Sequence, residues 1–304
     1  MIEHLTPHIE RQPTAALLVW QNGRLAGQFG PQDRKFLCHS IRKSILAALI
    51  GIEVDAGRLD LAATMEQLGI DDHDPLSAVE RQATVYDLLT ARSGIYHPAG
   101  YETEWMRMIK EKRHSHAPGT FWCYNNWDFN ALGTIYVQSS GHSVAEGFTR
   151  HLADPLGMQD FQPEGPTPDA WVEPFTESRH AAYPFRLSNR DLLRFCQLYL
   201  QGGVWEKRQL LPAGWTRLCT LRNSEAGTHG AYGYMWWLER AGCGIPNVVL
   251  PEGSYFAMGA GGHYALVMPA RNAIVLHRVD TEKGDRVSDF QFGALLAAIL
   301  QHLD

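Results

Sequence analysis

The residue pattern predicts an α+β fold. It has an antiparallel sheet flanked by N- and C-terminal helices, with a mainly helical domain inserted between the two parts of the sheet. Three observations lead there. A hairpin signal stands near the start, helix start and stop signals dominate the middle, and short strand-like segments return after about residue 230 before a last apolar helix. The implied division is 1–55 with 205–304 as the sheet-containing domain and 56–204 as the mainly helical one, with a site between them.

Each element has its own signal. Residues 15–30, AALLVWQNGRLAGQFG, place Asn22-Gly23 between two apolar runs, so the chain is expected to open with two antiparallel strands. Residues 40–52, SIRKSILAALIGI, repeat apolar positions at helical spacing, with Ile41, Ile45, Ala48 and Leu49 facing inward and Ser40 at the N-cap or first turn. In 84–94 Thr84 precedes Asp87 as a capping box would, and Gly94 reads as a stop. Residues 143–157 repeat that grammar with Ser143, Glu146 and Pro155, and 188–203 run from Ser188 to Gly202-Gly203. AYGYMWWLE, GSYFAMG, GHYALVMP and NAIVLHRVD then read as strands, with 269–272 as a hairpin connection and 287–303 as a mostly buried helix. No fixed-period repeat is present.

Composition narrows the function classes. Hydrophobic residues form 45% of the 304 and charged ones 20%, which is globular rather than disordered. A net charge of -6 gives no basic excess for a phosphate backbone, so no nucleic-acid partner is expected. No apolar run reaches the length of a membrane span, and none is expected. Glu3 and Glu10 interrupt the first stretch where a secretory signal would need a basic start and an apolar run. With five cysteines and no close pair, a reducing, cytoplasmic setting is the expectation, with export left open. The fourteen histidines form no metal-ligand spacing, and neither metal nor cofactor is expected.

Three segments carry candidate chemistry. Ser40 and Lys43 form Ser-x-x-Lys, which on a helix puts both side chains on one face. At a helix start, the dipole and burial disfavour the charged lysine, and a neutral amine is what a serine nucleophile needs as its base. A capping serine with a surface lysine would show the same spacing. In WCYNNWDFNALG, Tyr124 can relay a proton, with its phenol expected to titrate lower beside a cationic lysine. Asn126 can hold a carbonyl with its amide. An aromatic packing loop with a turn asparagine reads the same way. In MGAGGHY, Gly259, Gly261 and Gly262 suit a strand edge where a ligand nears the backbone, or a simple bulge; the segment lacks the Lys-Ser/Thr of a P-loop. His263 and His277 alternate into strands, as structural or substrate-facing residues. No Gly-x-Ser-x-Gly elbow occurs.

Taken in order, these motifs resemble the serine hydrolases of the β-lactamase and penicillin-binding protein superfamily. The resemblance is nearest to the class C β-lactamase-like branch, which includes esterases and 6-aminohexanoate-oligomer hydrolases. Ser40-Ile41-Arg42-Lys43 resembles its first motif and Tyr124-Asn125-Asn126 its Tyr-x-Asn motif. TVYDLLTARSG, ADPLGM, SNRDLLRFCQLYLQGG and YGYMWW resemble further landmarks. The coverage is from about Ala15 to the last helix. The resemblance implies a β-lactamase/transpeptidase-like fold, with Ser40 as nucleophile and Lys43 and Tyr124 in general acid/base roles. It also implies substrate contacts at Asn126, Gly262 and His263, the backbone N–H of His263 joining that of Ser40 as an oxyanion hole.

The departure is at the third motif. Ala260-Gly261-Gly262 stands where the family usually carries Lys-Thr-Gly or a His-x-Gly variant. Loss of that cation favours an ester or amide substrate over a lactam. A β-lactamase or D-amino-acid peptidase/transpeptidase is the competing reading; it needs Arg42, Arg186 or His263 as a carboxylate anchor. A non-catalytic scaffold is the third, and predicts loss of Ser40, Lys43 or Tyr124, all of which are present. Trp122, Trp127, Trp236, Trp237 and Tyr264 flank the motifs, and several of them are expected to line the cleft.

Overall fold

The computed structural model describes residues 1–304. Five helices reach eight residues or more: α1 (Ile2–Ile9), α2 (Ile41–Asp55), α3 (Asn126–Ser140), α4 (Asn189–Leu200) and α5 (Asp289–Leu300). The main sheet is built from β1 (Thr14–Gln21), β2 (Arg24–Phe29), β3 (Ser224–Glu225), β4 (Ala231–Tyr232), β5 (Trp237–Leu238), β6 (Tyr255–Gly259), β7 (His263–Met268) and β8 (Ala273–Val279). Its order is β2-β1-β8-β7-β6-β5-β4-β3, and every neighbouring pair is antiparallel. No helix is long and apolar enough to cross a membrane.

The hairpin signal at Asn22-Gly23 holds. Both residues have positive φ, 52° and 82°, which matches the right-handed twist of the flanking strands. The chain does not open with strands, however, because α1 comes first. Leu5 and Ile9 are its buried residues, one helical turn apart, and that single apolar pair among polar residues is too short a period to read.

The strands β7 and β8 are buried at every position, so both faces of the sheet are covered. On one face the Phe292 ring of α5 stacks on Tyr264 at 3.9 Å and meets His277 at 5.0 Å. Helix α1 packs beside α5, with His4 stacked on His302. The other face carries α2 and α4: His263 meets His39 just before α2, and Tyr199 of α4 packs on Trp236. One continuous core runs through the sheet, α2, α3 and α4.

The inserted region is less helical than expected. Between α2 and α4 only α3 is long; the rest is one- or two-turn helices, such as Val85–Leu89 and Val144–Phe148, and short ribbons that include Glu173–Phe175 with Ser178–Ala182. The start signals are right, since Thr84 and Ser143 both form capping boxes. The stops come sooner: Thr90 ends its helix ahead of Ala91 at φ 56°, before Gly94. Pro155 sits inside a short helix that ends at Gly157 in the left-handed region.

Candidate active site

Helix α2 has apolar residues on all sides and is buried from Ile41 to Gly51. Gly51 makes that possible against Trp215: a Cβ there would lie 2.3 Å from the indole, whose Nε1 donates to the Ala47 carbonyl at 3.0 Å. A helix held on every side gives its first turn a rigid position. Ser40 is the N-cap, but its side chain caps nothing. Its hydroxyl instead accepts from Lys43 Nζ at 2.8 Å, and Lys43 Nζ also lies 2.6 Å from the Tyr124 hydroxyl.

The segment before Ser40 is clamped. His39 sits at φ 47°, a left-handed conformation that a residue with a side chain adopts at a cost. The Cys38 N–H donates to the Phe185 carbonyl. Buried Arg278 of β8 donates through Nη2 to the carbonyls of Phe36 (2.9 Å) and Leu37 (3.3 Å), and through Nη1 to that of Leu187 (3.2 Å). This guanidinium has no carboxylate; carbonyl oxygens satisfy it.

Tyr124 ends the loop before α3. Asn125 caps that helix by accepting from the Trp127 N–H, and its amide donates to the Ile95 carbonyl. Tyr124 is wedged between Trp237 at 5.1 Å and Phe129 at 5.1 Å, while Lys43 Nζ lies over the Tyr124 and Phe129 rings.

Burial sets the charges here. It pushes Lys43 well below its ordinary range, and the Arg42 guanidinium adds to this. Glu102 opposes the shift. Tyr124 moves the other way from the sequence expectation. Burial raises it, and this outweighs the opposing effects of Ser40 and Arg42, because the lysine that was to stabilise a phenolate is itself held toward neutrality. Burial thus disfavours the charged form of both partners, the amine and the phenol, which share a hydrogen bond. Arg42 is fully buried with no carboxylate partner. Its Nη2 donates to Asn130 Oδ1, its other two nitrogens have no partner, and it stacks on the Tyr183 ring at 4.2 Å.

A cleft of about 210 Å³ opens onto Ser40 and Tyr124. Trp105, Met106, Met258 and Val287 give it apolar walls, and Thr103, His229 and Asp289 add polar groups. The backbone from Gly259 to Gly262 forms its floor. Gly259 is required by close approach, since a Cβ there would sit 2.7 Å from the Cys38 carbonyl oxygen. The N–H groups of Ser40, Ala260, Gly261 and Gly262 donate to no backbone partner.

Ser40, Lys43, Tyr124 and Gly262 thus come together. Asn126 and His263 do not join them at the cleft surface. The Asn126 amide is buried and donates to the Gly100 carbonyl, and its Oδ1 is unpartnered. The His263 ring is buried, accepting from Arg278 Nε at 3.0 Å, and burial holds it well below the ordinary histidine range. His263 stands opposite Gly259 in the ladder, next to the turn whose amides have no backbone partner. None of the three candidate anchors lines the cleft: Arg42 and His263 are buried, and Arg186 pairs with Glu282 at 2.6 Å and lies over Trp171. The flanking aromatics are mostly core. Trp127, Trp236, Trp237 and Tyr264 are buried, and Trp105 is the indole that lines the cleft. Trp105, His229 and Asp289 arrive from segments with no motif. No group of three His, Cys, Asp or Glu side chains converges as a metal site.

The beta-lactamase family profile matches residues 2–298. The chain belongs to the beta-lactamase family. Solved structures agree on the fold at low identity. A putative 6-aminohexanoate-dimer hydrolase from Bacillus anthracis is 19% identical, with 98% of this chain and 82% of that one aligned at a TM-score of 0.71. A class C beta-lactamase is 17% identical over 99% and 95%, at 0.73. A penicillin binding protein from Bacillus halodurans is 16% identical over 98% and 99%, at 0.71. As a beta-lactamase family member with this α+β architecture, the chain has a fold consistent with acyl-enzyme serine hydrolase chemistry in general.

Proposed function

We propose that this protein cleaves a carboxylic ester or amide through an acyl-Ser40 intermediate. The observation that carries the reading is Lys43 Nζ, buried and held toward neutrality, 2.8 Å from Ser40 Oγ and 2.6 Å from the Tyr124 hydroxyl. Ser40 Oγ attacks the acyl carbon as its proton passes to Lys43 Nζ. The carbonyl oxygen becomes an oxyanion, met by the free N–H of Ser40 and one from the turn that ends in Gly262 and His263. The C–O or C–N bond then breaks, and the departing alcohol or amine takes its proton from Tyr124, which is resupplied by Lys43. A water repeats the attack with the proton path reversed, releasing the acid and restoring Ser40.

A neutral phenol suits this role, because a proton donor has to hold its proton until the leaving group needs it. The absence of a lysine or arginine among the cleft-lining residues favours esters and amides over lactams and D-amino-acid peptides, whose carboxylate would lack that partner.

A fluorophosphonate probe followed by intact-mass measurement tests the reading. One adduct per chain is expected, mapped to Ser40 and lost in Ser40→Ala, with Lys43→Ala slow to label. An unlabelled wild type, or an equally labelled Ser40→Ala, would sink it.

A further inference from the structure

We propose that the cleft selects substrates carrying a positive charge of the ammonium class, and that Asp289 is the residue that selects them. This rests on the serine hydrolase reading and extends it to substrate class. Of the thirteen residues that line the cleft, Asp289 alone bears a carboxylate, and none is a lysine or arginine. The same small cavity holds Ser40 and Tyr124, so a substrate whose acyl carbon reaches Ser40 lies within the field of that carboxylate.

Asp289 is held in place. It opens α5, where the helix dipole favours a negative charge, and its Oδ1 accepts from the Tyr264 hydroxyl at 2.5 Å. Tyr264 is in turn stacked on Phe292. That leaves Oδ2 with no hydrogen-bond partner on a half-buried side chain facing the cavity. The nearby arginine and lysine do not neutralise it. Arg286 packs against Gly261, but its Nη1 donates to the Thr281 and Asp285 carbonyls and it does not line the cleft. Lys43 is buried behind Ser40 and disposed to be uncharged. Trp105, 39% exposed on the wall, adds an aromatic surface of the kind that attracts cations.

The test uses two matched sets of substrates. In the first, p-nitrophenyl esters carry acyl chains of one length ending in trimethylammonium, tert-butyl or carboxylate. In the second, butyryl thioesters have departing thiols with the same three ends. The two sets separate a cation on the acyl side from one on the leaving side. In at least one set the wild type is expected to favour the cationic member in kcat/KM by about tenfold over the neutral one, with the anionic member slowest. Asp289→Asn keeps an acceptor for Tyr264. It is expected to remove that preference, bringing the cationic and neutral members within about twofold of each other. Equal rates on cationic and neutral members in both sets would overturn the proposal, as would an Asp289→Asn variant that slows all members alike. In either of those cases a probe-labelled Ser40 would leave the hydrolase reading standing. No turnover together with an unlabelled Ser40 would overturn both.

Discussion

At the scale of single residues, the site depends on what burial does to two proton carriers. Lys43 and Tyr124 shift in opposite directions for one reason: the surroundings disfavour charge on either. Tyr124→Phe keeps the ring between Trp237 and Phe129 and removes only the hydroxyl. Turnover should fall by about 10²–10⁴-fold, mainly in kcat, with Tm little changed. Full activity in steady-state kinetics would remove Tyr124 from the mechanism. Arg42 gives a subtler prediction. Its uncompensated charge is the second cause of the Lys43 shift. Arg42→Gln should therefore let Lys43 take up a proton more readily. Because activity needs the neutral amine, the acid limb of the kcat/KM profile should move to higher pH. A profile that drops in height without moving would make Arg42 a packing residue.

Ser40 and Lys43 were legible as a pair because a spacing of three on a helix is itself the geometry, whereas Tyr124 was named through the resemblance of its motif. Arg278, Trp105 and Asp289 were not. They reach the site through strand pairing and helix packing across long chain separations, and nothing local marks them. His263 was expected to offer its backbone N–H, as the resemblance implies, and its side chain has a different task. Its place in the ladder turns the ring toward Arg278, next to the turn whose amides have no backbone partner.

Among elements, the decisive contact is the end of β6 against the segment that leads into α2. It allows no side chain at Gly259, where a Cβ would press on the Cys38 carbonyl at 2.7 Å. Gly259→Ala should push the turn away from Ser40 and misplace the oxyanion donors. A displacement of about 1 Å commonly costs on the order of 10²-fold in rate. We expect that loss in kcat with a folded protein by circular dichroism; unchanged kcat would mean the turn is not part of the site. The helix signals were readable at this scale because caps are local, whereas early stops were not. The helix before Ala91 ends where the chain must turn under Tyr124 and donate from Cys123 to the Ala91 carbonyl, a demand of the fold rather than of the segment.

Across the whole molecule, stability should depend on pH through histidines, His277 buried and His39 half-buried, whose charged form the fold disfavours. His277 Nδ1 donates to the Gly262 carbonyl at 2.6 Å, so its Nε2 accepts from the Thr14 hydroxyl at 2.9 Å. Burial lowers His277 to about 4 and His39 to about 4, against an ordinary 6.5. The unfolded chain therefore binds protons first. Stability should be full above pH 6.5 and fall as pH drops toward 4, by on the order of several kcal/mol for the two together. Thermal melts from pH 7.5 to 4 will show this as a falling Tm, and a flat Tm would contradict it.

The pairing of β1 with β8, Thr14 opposite Val279, has a consequence for the order of events during synthesis. Ser40 and Lys43 leave the ribosome before Tyr124, and all three well before Arg278. The clamp from Arg278 and the amides of the 260–262 turn come only with the last segments. A growing chain therefore carries its nucleophile through more than two hundred further residues without the means to use it, and contacts of such long range also form slowly. Chemical competence should appear late and abruptly, when the final strands close the sheet, rather than growing in proportion to the length already made.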